Sequence, residues 1–332
     1  MRIVTLEEHY TFPDLVERID PAAIVRRGMP KPGSPEAALA PRALLADLGK
    51  DRIADMDASG ISFQVLSQSG PGADLAEARE AVPLAKQFND RLAAAIRERP
   101  DRYAGFAHLP MTAPEAAADE LERCVRDLKF LGAMVNGVTD GRFLDDMRFE
   151  PLIARAEKLD VPIYIHPGYP PRAVYEAYYA NLPMQSMSDQ LARGGWGWHQ
   201  EVAIHVLRMV LAGTFDKHPK LKILIGHTGE GLPAMMRRCD EVFARIPSSP
   251  LKRSVSATIL DQVWITTSGF FALAPFMAAL LTFGVDRILF SVDYPYSKHK
   301  DGRAFLDTLP VSRDDLAKIA HGNADKLLKL SA

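Results

Sequence analysis

Short apolar runs recur along the chain, spaced so that a helix fits between each pair. Ile3-Val4-Thr5-Leu6 is the first, Phe63-Gln64-Val65-Leu66 the second, Tyr103 to Ala107 the third and Gly132 to Asn136 the fourth. Pro162-Ile163-Tyr164-Ile165, Lys222 to Gly226, Val263 to Thr267 and Ile288 to Val292 complete a set of eight. Continuous apolar and β-branched runs of this length suit strands buried on both faces, as in a parallel sheet. Between them the period becomes helical, as in Leu84-Ala85-Phe88-Leu92-Ala95-Ile96 and Ala118-Leu121-Cys124-Val125-Leu128. The second helix opens with Thr112-Ala113-Pro114-Glu115, where Thr112 is expected to cap, Pro114 to sit in the first turn and Glu115 to reach back. Further helices are expected over 152–159 and 201–211. Eight strands alternating with helices predict an α/β chain folded as one (β/α)8 barrel over residues 1–332, its active site at the C-terminal ends of the strands.

Two stretches break the alternation. Residues 11–50 hold Pro13, Pro21, Pro30, Pro32, Pro35 and Pro41 with Gly28 and Gly33, which reads as a long first loop carrying short helices. Residues 168–197 are rich in Tyr, Met and Trp. Insertions of that length on a compact barrel are usually lids, pocket walls or subunit contacts, so a homo-oligomer, dimer or tetramer, is expected.

Composition narrows the function classes. A chain of 332 residues that is 47% hydrophobic can build a large core, and one barrel with insertions accounts for its length. A formal net charge of -2 gives no electrostatic case for nucleic acid or an anionic membrane. No apolar run approaches the roughly 20 residues that span a bilayer, and Met1-Arg2 leads into a strand with no signal-peptide pattern. Cys124 and Cys239 both fall in helical surroundings and read as reduced core thiols, which points to the cytoplasm.

The chemistry lies at the strand ends. A strand points residues i and i+2 to one face, so Glu7 and His9 are aimed together into the barrel mouth. The fifth run ends at His166, the sixth at His227 and the eighth at Asp293. Each alone has a plain structural reading, since His166-Pro167-Gly168 is a strand-ending turn and Asp293 can cap a loop. Together, two imidazoles and two carboxylates converging on one mouth are costly unless they share a cation. Glu7, His9, His166 and Asp293 are therefore the expected ligands of one divalent metal ion, zinc or manganese in preference to calcium or a thiolate-seeking ion. The fourth run ends in Asn136-Gly137 and offers no bridging ligand for a second metal. His227 lies three residues before Glu230 in a glycine-rich turn, a spacing that lets a carboxylate hold an imidazole in one tautomer for proton exchange. Arg238, further along, fits either a substrate anion or a surface salt bridge.

Leu6-Glu7-Glu8-His9, Ile165-His166-Pro167, Gly226-His227-Thr228-Gly229-Glu230-Gly231-Leu232-Pro233 and Phe290-Ser291-Val292-Asp293-Tyr294-Pro295-Tyr296 closely resemble the amidohydrolase-related metal-dependent decarboxylases. The resemblance is nearest to those acting on dihydroxybenzoates, such as gamma-resorcylate and 2,3-dihydroxybenzoate decarboxylases, and more distant to aminocarboxymuconate semialdehyde decarboxylase. It runs from residue 2 to Ala324-Asp325-Lys326-Leu327-Leu328 and takes in Gly213 to Leu221. It implies that Glu7, His9, His166 and Asp293 hold the metal, that Asp293, His227 and Glu230 are catalytic, and that Arg238 and Tyr296 contact substrate. Glu7 stands where hydrolase relatives usually carry His, which tilts the expectation from hydrolysis to decarboxylation. Tyr10 departs from the Phe frequent in relatives, and Tyr175, Tyr178, Trp196, Trp198 and His199 match no single substrate subgroup. His199 and His205 read as supporting residues and not as ligands.

The expected reaction is the non-oxidative decarboxylation of an ortho-hydroxylated aromatic acid, a small aromatic carboxylate, with no organic cofactor. The alternative within the same superfamily is a metal-dependent hydrolase, in which the ion activates water. A barrel that merely senses a metal or ligand is the third reading, from another class.

Overall fold

The computed structural model describes residues 1–330 except Leu39, and of Pro35 and Glu36 only the backbone. Its strands are β1 (Val4–Tyr10), β2 (Phe63–Gln68), β3 (Tyr103–Gly105, resuming as Ala107–His108), β4 (Ala133–Asn136), β5 (Ile163–His166), β6 (Ile223–Ile225), β7 (Val263–Thr266) and β8 (Ile288–Leu289). The helices between and after them are α1 (Lys50–Ser59), α2 (Ala78–Glu98), α3 (Pro114–Arg126), α4 (Glu150–Leu159), α5 (Gly197–Leu211), α6 (Leu232–Phe243), α7 (Leu273–Phe283) and α8 (His299–Asp307). Every strand pair is parallel. Around Phe106 the third strand bonds both ways: Phe106 N–H donates to the Leu66 carbonyl at 2.9 Å while Ala107 N–H donates to Gly132 at 2.8 Å. Closure comes from the His9 amide, which donates to the Tyr294 carbonyl at 2.7 Å just beyond β8. The (β/α)8 barrel is the architecture its apolar runs predict.

Two apolar layers follow from the alternation of side chains along the strands. Val4, Leu6, Val65, Phe106, Met134, Tyr164, Leu224 and Leu289 fill the barrel interior. Their neighbours Ile163, Ile165, Ile223, Ile225 and Ile265 face outward into the helix layer. At the N-terminal end of the barrel, Ala324, Leu327 and Leu328 of the final helix, Asn323–Leu328, close the interior from below.

Both insertions carry short helices, Pro13–Val16, Pro21–Arg26, Pro35–Ala38 and Arg42–Ala46 in the first, and Arg172–Tyr178 and Gln185–Ala192 in the second. One capping expectation fails. The residue flanking α3 is Ala113, without a side-chain cap, and Thr112 instead donates its hydroxyl to the Ala76 carbonyl at 2.8 Å. Pro114 begins the helix as its missing N–H allows, and Thr112 is spent on tying that loop to the one after β2.

Candidate active site

The period-two rule alone would not bring Glu7 to the mouth. Val4 and Leu6 already face the interior, so strict alternation would send Glu7 outward and Glu8 in. The register of β1 against β2 shifts between Thr5 and Glu8, and this bulge re-aims the strand. Ser291 supplies what the bulge loses: its hydroxyl oxygen accepts from the amides of Leu6 at 2.9 Å and Glu7 at 3.0 Å. Glu7 and His9 then face inward, and Glu8 turns out to accept from the Val292 amide at 2.9 Å and the Tyr294 amide at 3.3 Å, one on each side of Asp293. Asp293 itself sits at φ 69°, in the left-handed region that β-carbon residues avoid. His227, Thr228 and Glu230 are held there too, at φ 50°, 54° and 55°. Strained non-glycine backbone concentrated on four neighbouring positions of one mouth is a mark of a functional site.

Four of the expected residues meet. One donor atom each from Glu7, His9, His166 and Asp293 lies within 4.8 Å of the others. His9 Nε2 is 3.2 Å from Asp293 Oδ1, and His166 Nε2 is 3.3 Å from Glu7 Oε1. Glu7 Oε1, His9 Nε2 and Asp293 Oδ1 are buried without a hydrogen-bond partner. Those three orphaned atoms, with His166 Nε2 facing them from beside Glu7, fit a divalent cation, whose charge would satisfy them together. The supporting contacts orient the set. His9 Nδ1 meets the Ser67 hydroxyl at 3.2 Å, and Tyr164 donates its phenol to Glu7 Oε2 while Thr266 lies 2.8 Å behind it.

The charges are arranged unequally. Burial alone would raise Glu7, but the imidazoles of His227, His166 and His9 hold its carboxyl well below the usual range. Burial raises Asp293, with the Glu7 carboxylate adding to it against the bond from His9. Burial drops His166 to about 3, which keeps its imidazole neutral. His227 goes the other way: burial opposes its charge, yet Glu230 and Glu7 push it up to about 10.

His227 Nδ1 is 2.7 Å from Glu230 Oε1, the pair the spacing predicted, and its Nε2 is 3.9 Å from Glu7. The structure adds His199, whose Nδ1 lies 2.6 Å from the other oxygen of Glu230. His205 is a supporting residue, its Nε2 accepting from the Leu144 amide at 2.8 Å. Tyr296 stands beside the cluster, its ring centroid 5.7 Å from that of His9 and its hydroxyl 2.7 Å from Ser69. Arg238 does not join them. It lies on α6 two residues past the buried Met236, about 200° round the helix, and its exposed guanidinium is 3.6 Å from Glu241. Within this chain it makes a surface pair, the plainer of its two readings.

Tyr164 and Ser67 were not singled out from sequence, although the alternation that groups Glu7 with His9 also places Tyr164 two residues before His166. Glu8 gave no such signal, because its burial depends on the bulge.

The amidohydrolase family profile matches residues 46–330. The chain belongs to the amidohydrolase family. A curated gamma-resorcylate decarboxylase from Rhizobium sp. is 38% identical to this amidohydrolase over 98% of each chain. Among solved structures, a dihydroxybenzoic acid decarboxylase from Polaromonas sp., with bound manganese and the inhibitor 2-nitroresorcinol, superposes with a TM-score of 0.86 at 35% identity, covering 99% of this chain and 97% of that one. A 5-carboxyvanillate decarboxylase from Sphingomonas paucimobilis gives a TM-score of 0.90 at 28% identity over 99% of each.

Proposed function

We propose that this amidohydrolase is a metal-dependent carboxy-lyase that removes CO2, without oxidation, from an aromatic acid bearing an ortho hydroxyl. The observation that carries the reading is the cluster of Glu7, His9, His166 and Asp293, whose Glu7 Oε1, His9 Nε2 and Asp293 Oδ1 are buried and orphaned, beside a His227–Glu230 pair. Its full-length relatives include gamma-resorcylate, dihydroxybenzoic acid and 5-carboxyvanillate decarboxylases.

Direct loss of CO2 from an aromatic carboxylate would leave a carbanion in the ring plane, outside the π system. Protonation of the ring carbon must therefore come first. Zinc or manganese on Glu7, His9, His166 and Asp293 would supply positive charge to anchor the substrate carboxylate and favour ionisation of the neighbouring hydroxyl. Asp293 is the proposed proton donor, a carboxyl that shares the cluster with Glu7 at the mouth. Its Oδ1 faces the ligands, leaving the other oxygen to deliver the proton to the carbon that carries CO2. His227, its Nδ1 fixed on Glu230, presents Nε2 to the mouth and exchanges the phenolic proton. Carbon dioxide leaves as aromaticity returns, the donated proton stays on the ring carbon, and Asp293 takes a replacement from solvent, the one proton that the net reaction consumes. Tyr296 is the proposed wall of the substrate pocket.

Metal content measured together with CO2 release from 2,3- and 2,6-dihydroxybenzoate and 5-carboxyvanillate tests this. Release that rises with metal occupancy is expected; a fully loaded protein that releases CO2 from none of them would overturn the reading in favour of hydrolysis. We further propose a cytoplasmic homo-oligomer, on the two free thiols and on the exposed Tyr178, Met184, Met187 and Trp196 of the second insertion. Among the described residues no helix is long and apolar enough to cross a membrane.

A further inference from the structure

Glu230 is buried and accepts from two imidazoles, one on each oxygen. His227 takes Oε1 at 2.7 Å and His199 takes Oε2 at 2.6 Å. A carboxylate engaged at one oxygen can still swing about its last torsion. Engaged at both, it is fixed, and so is the ring it holds. The two imidazoles also pack directly, centroids 4.7 Å apart at 63°, and Phe270 closes on them at 4.8 Å from His199 and 5.3 Å from His227. The other nitrogen of His199 reaches back 3.1 Å to the carbonyl of Gly194, the end of the second insertion.

We propose that His199 is a positioning residue for the reaction: it locks Glu230, and through Glu230 the His227 ring, and it ties that pair to the insertion over 168–197. Its hydrogen bond goes to Glu230 and its ring packs on His227. The inference rests on the decarboxylase reading above for its kinetic consequence but not for its geometry.

Two variants separate the contacts. His199→Phe keeps a ring against Phe270 and His227 and removes both ring nitrogens. His199→Asn retains a donor near the Nδ1 position and loses the reach to Gly194. In metal-loaded enzyme acting on 2,6-dihydroxybenzoate, His199→Phe is expected to lower kcat about 10- to 100-fold with KM little changed, and His199→Asn to recover most of it. In a Glu230→Ala background, His199→Phe should cost nothing further, because the group that links it to His227 is gone. An additive loss, a loss confined to KM, or Asn as poor as Phe would overturn the proposal.

A readout independent of turnover is the downfield proton spectrum of zinc-loaded protein with labelled histidines. The His227 Nδ1–H resonance should move or broaden in His199→Phe and persist in His199→Asn. An unchanged resonance in His199→Phe would refute the role of His199. A chain that decarboxylates none of the acids yet shows the resonance shift would refute only the reaction.

Discussion

At the scale of single residues, the proposed reaction asks one carboxyl to serve two purposes. Asp293 completes the ligand set through Oδ1 and donates a proton through its second oxygen, so Asp293→Asn should lower kcat by about 10²–10⁴-fold even at saturating metal. Near wild-type turnover with full occupancy would remove it from the chemistry. Gly226 is constrained for a different reason: a β-carbon there would lie 2.6 Å from Glu7 Oε2 and 3.2 Å from the Tyr164 hydroxyl. Gly226→Ala should therefore displace Glu7 and weaken metal retention on dialysis about tenfold or more; unaltered metal content would show that Glu7 can shift without cost. His205 gives a pH signature away from the site. Burial lowers it to about 3, and the Leu144 amide donates to its Nε2, so the folded form is neutral. The unfolded chain takes up a proton that the folded one refuses; stability is intact above about pH 6.5 and falls as pH drops below it. Between pH 7 and 5 this costs about 2 kcal/mol. His205→Gln, which keeps an acceptor, should lose less over that interval in denaturant titrations, and an identical pH slope would mean another group governs it.

At the scale of elements, the decisive feature is the bulge in β1. The alternation of polar and apolar residues was enough to pair Glu7 with His9, and the apolar runs located all eight strands. It was not enough to say which way the pair faces, because Val4 and Leu6 claim the interior and only the register shift after Thr5 turns the next residues over. That shift depends on Ser291, some 280 residues downstream, and no local pattern announces such a partner. Within this chain Arg238 stays out of the site for the converse reason: its angle on α6 is set by Leu232 and Met236 facing inward. His199 was legible as a supporting residue from its helix, and its actual partner, Glu230 on another strand's turn, was not. Ser291→Ala tests the bulge directly. It strands two buried amides and should cost about 2–4 kcal/mol, seen as a lower Tm, together with weaker metal binding. A stable variant that still binds metal would mean the bulge holds without its hydroxyl.

At the scale of the whole molecule, the two ends of the barrel have different duties. The mouth carries the left-handed backbone of His227, Thr228, Glu230 and Asp293 and the orphaned atoms of the cluster, while the opposite end is sealed by the helix Asn323–Leu328. Leu327 is 5% exposed in that seal, so Leu327→Ala should destabilise the chain by about 2–5 kcal/mol and leave kcat per folded, metal-loaded molecule unchanged. A specific loss of kcat would show that the floor and the mouth are coupled. The same helix brings the last described residues against the first: Asp325 pairs with Arg2, immediately before β1. Both ends of the described chain thus emerge on the side away from the mouth. An anchor, label or fused protein attached at either one would hang behind the barrel, leaving the path of an aromatic acid into the mouth clear.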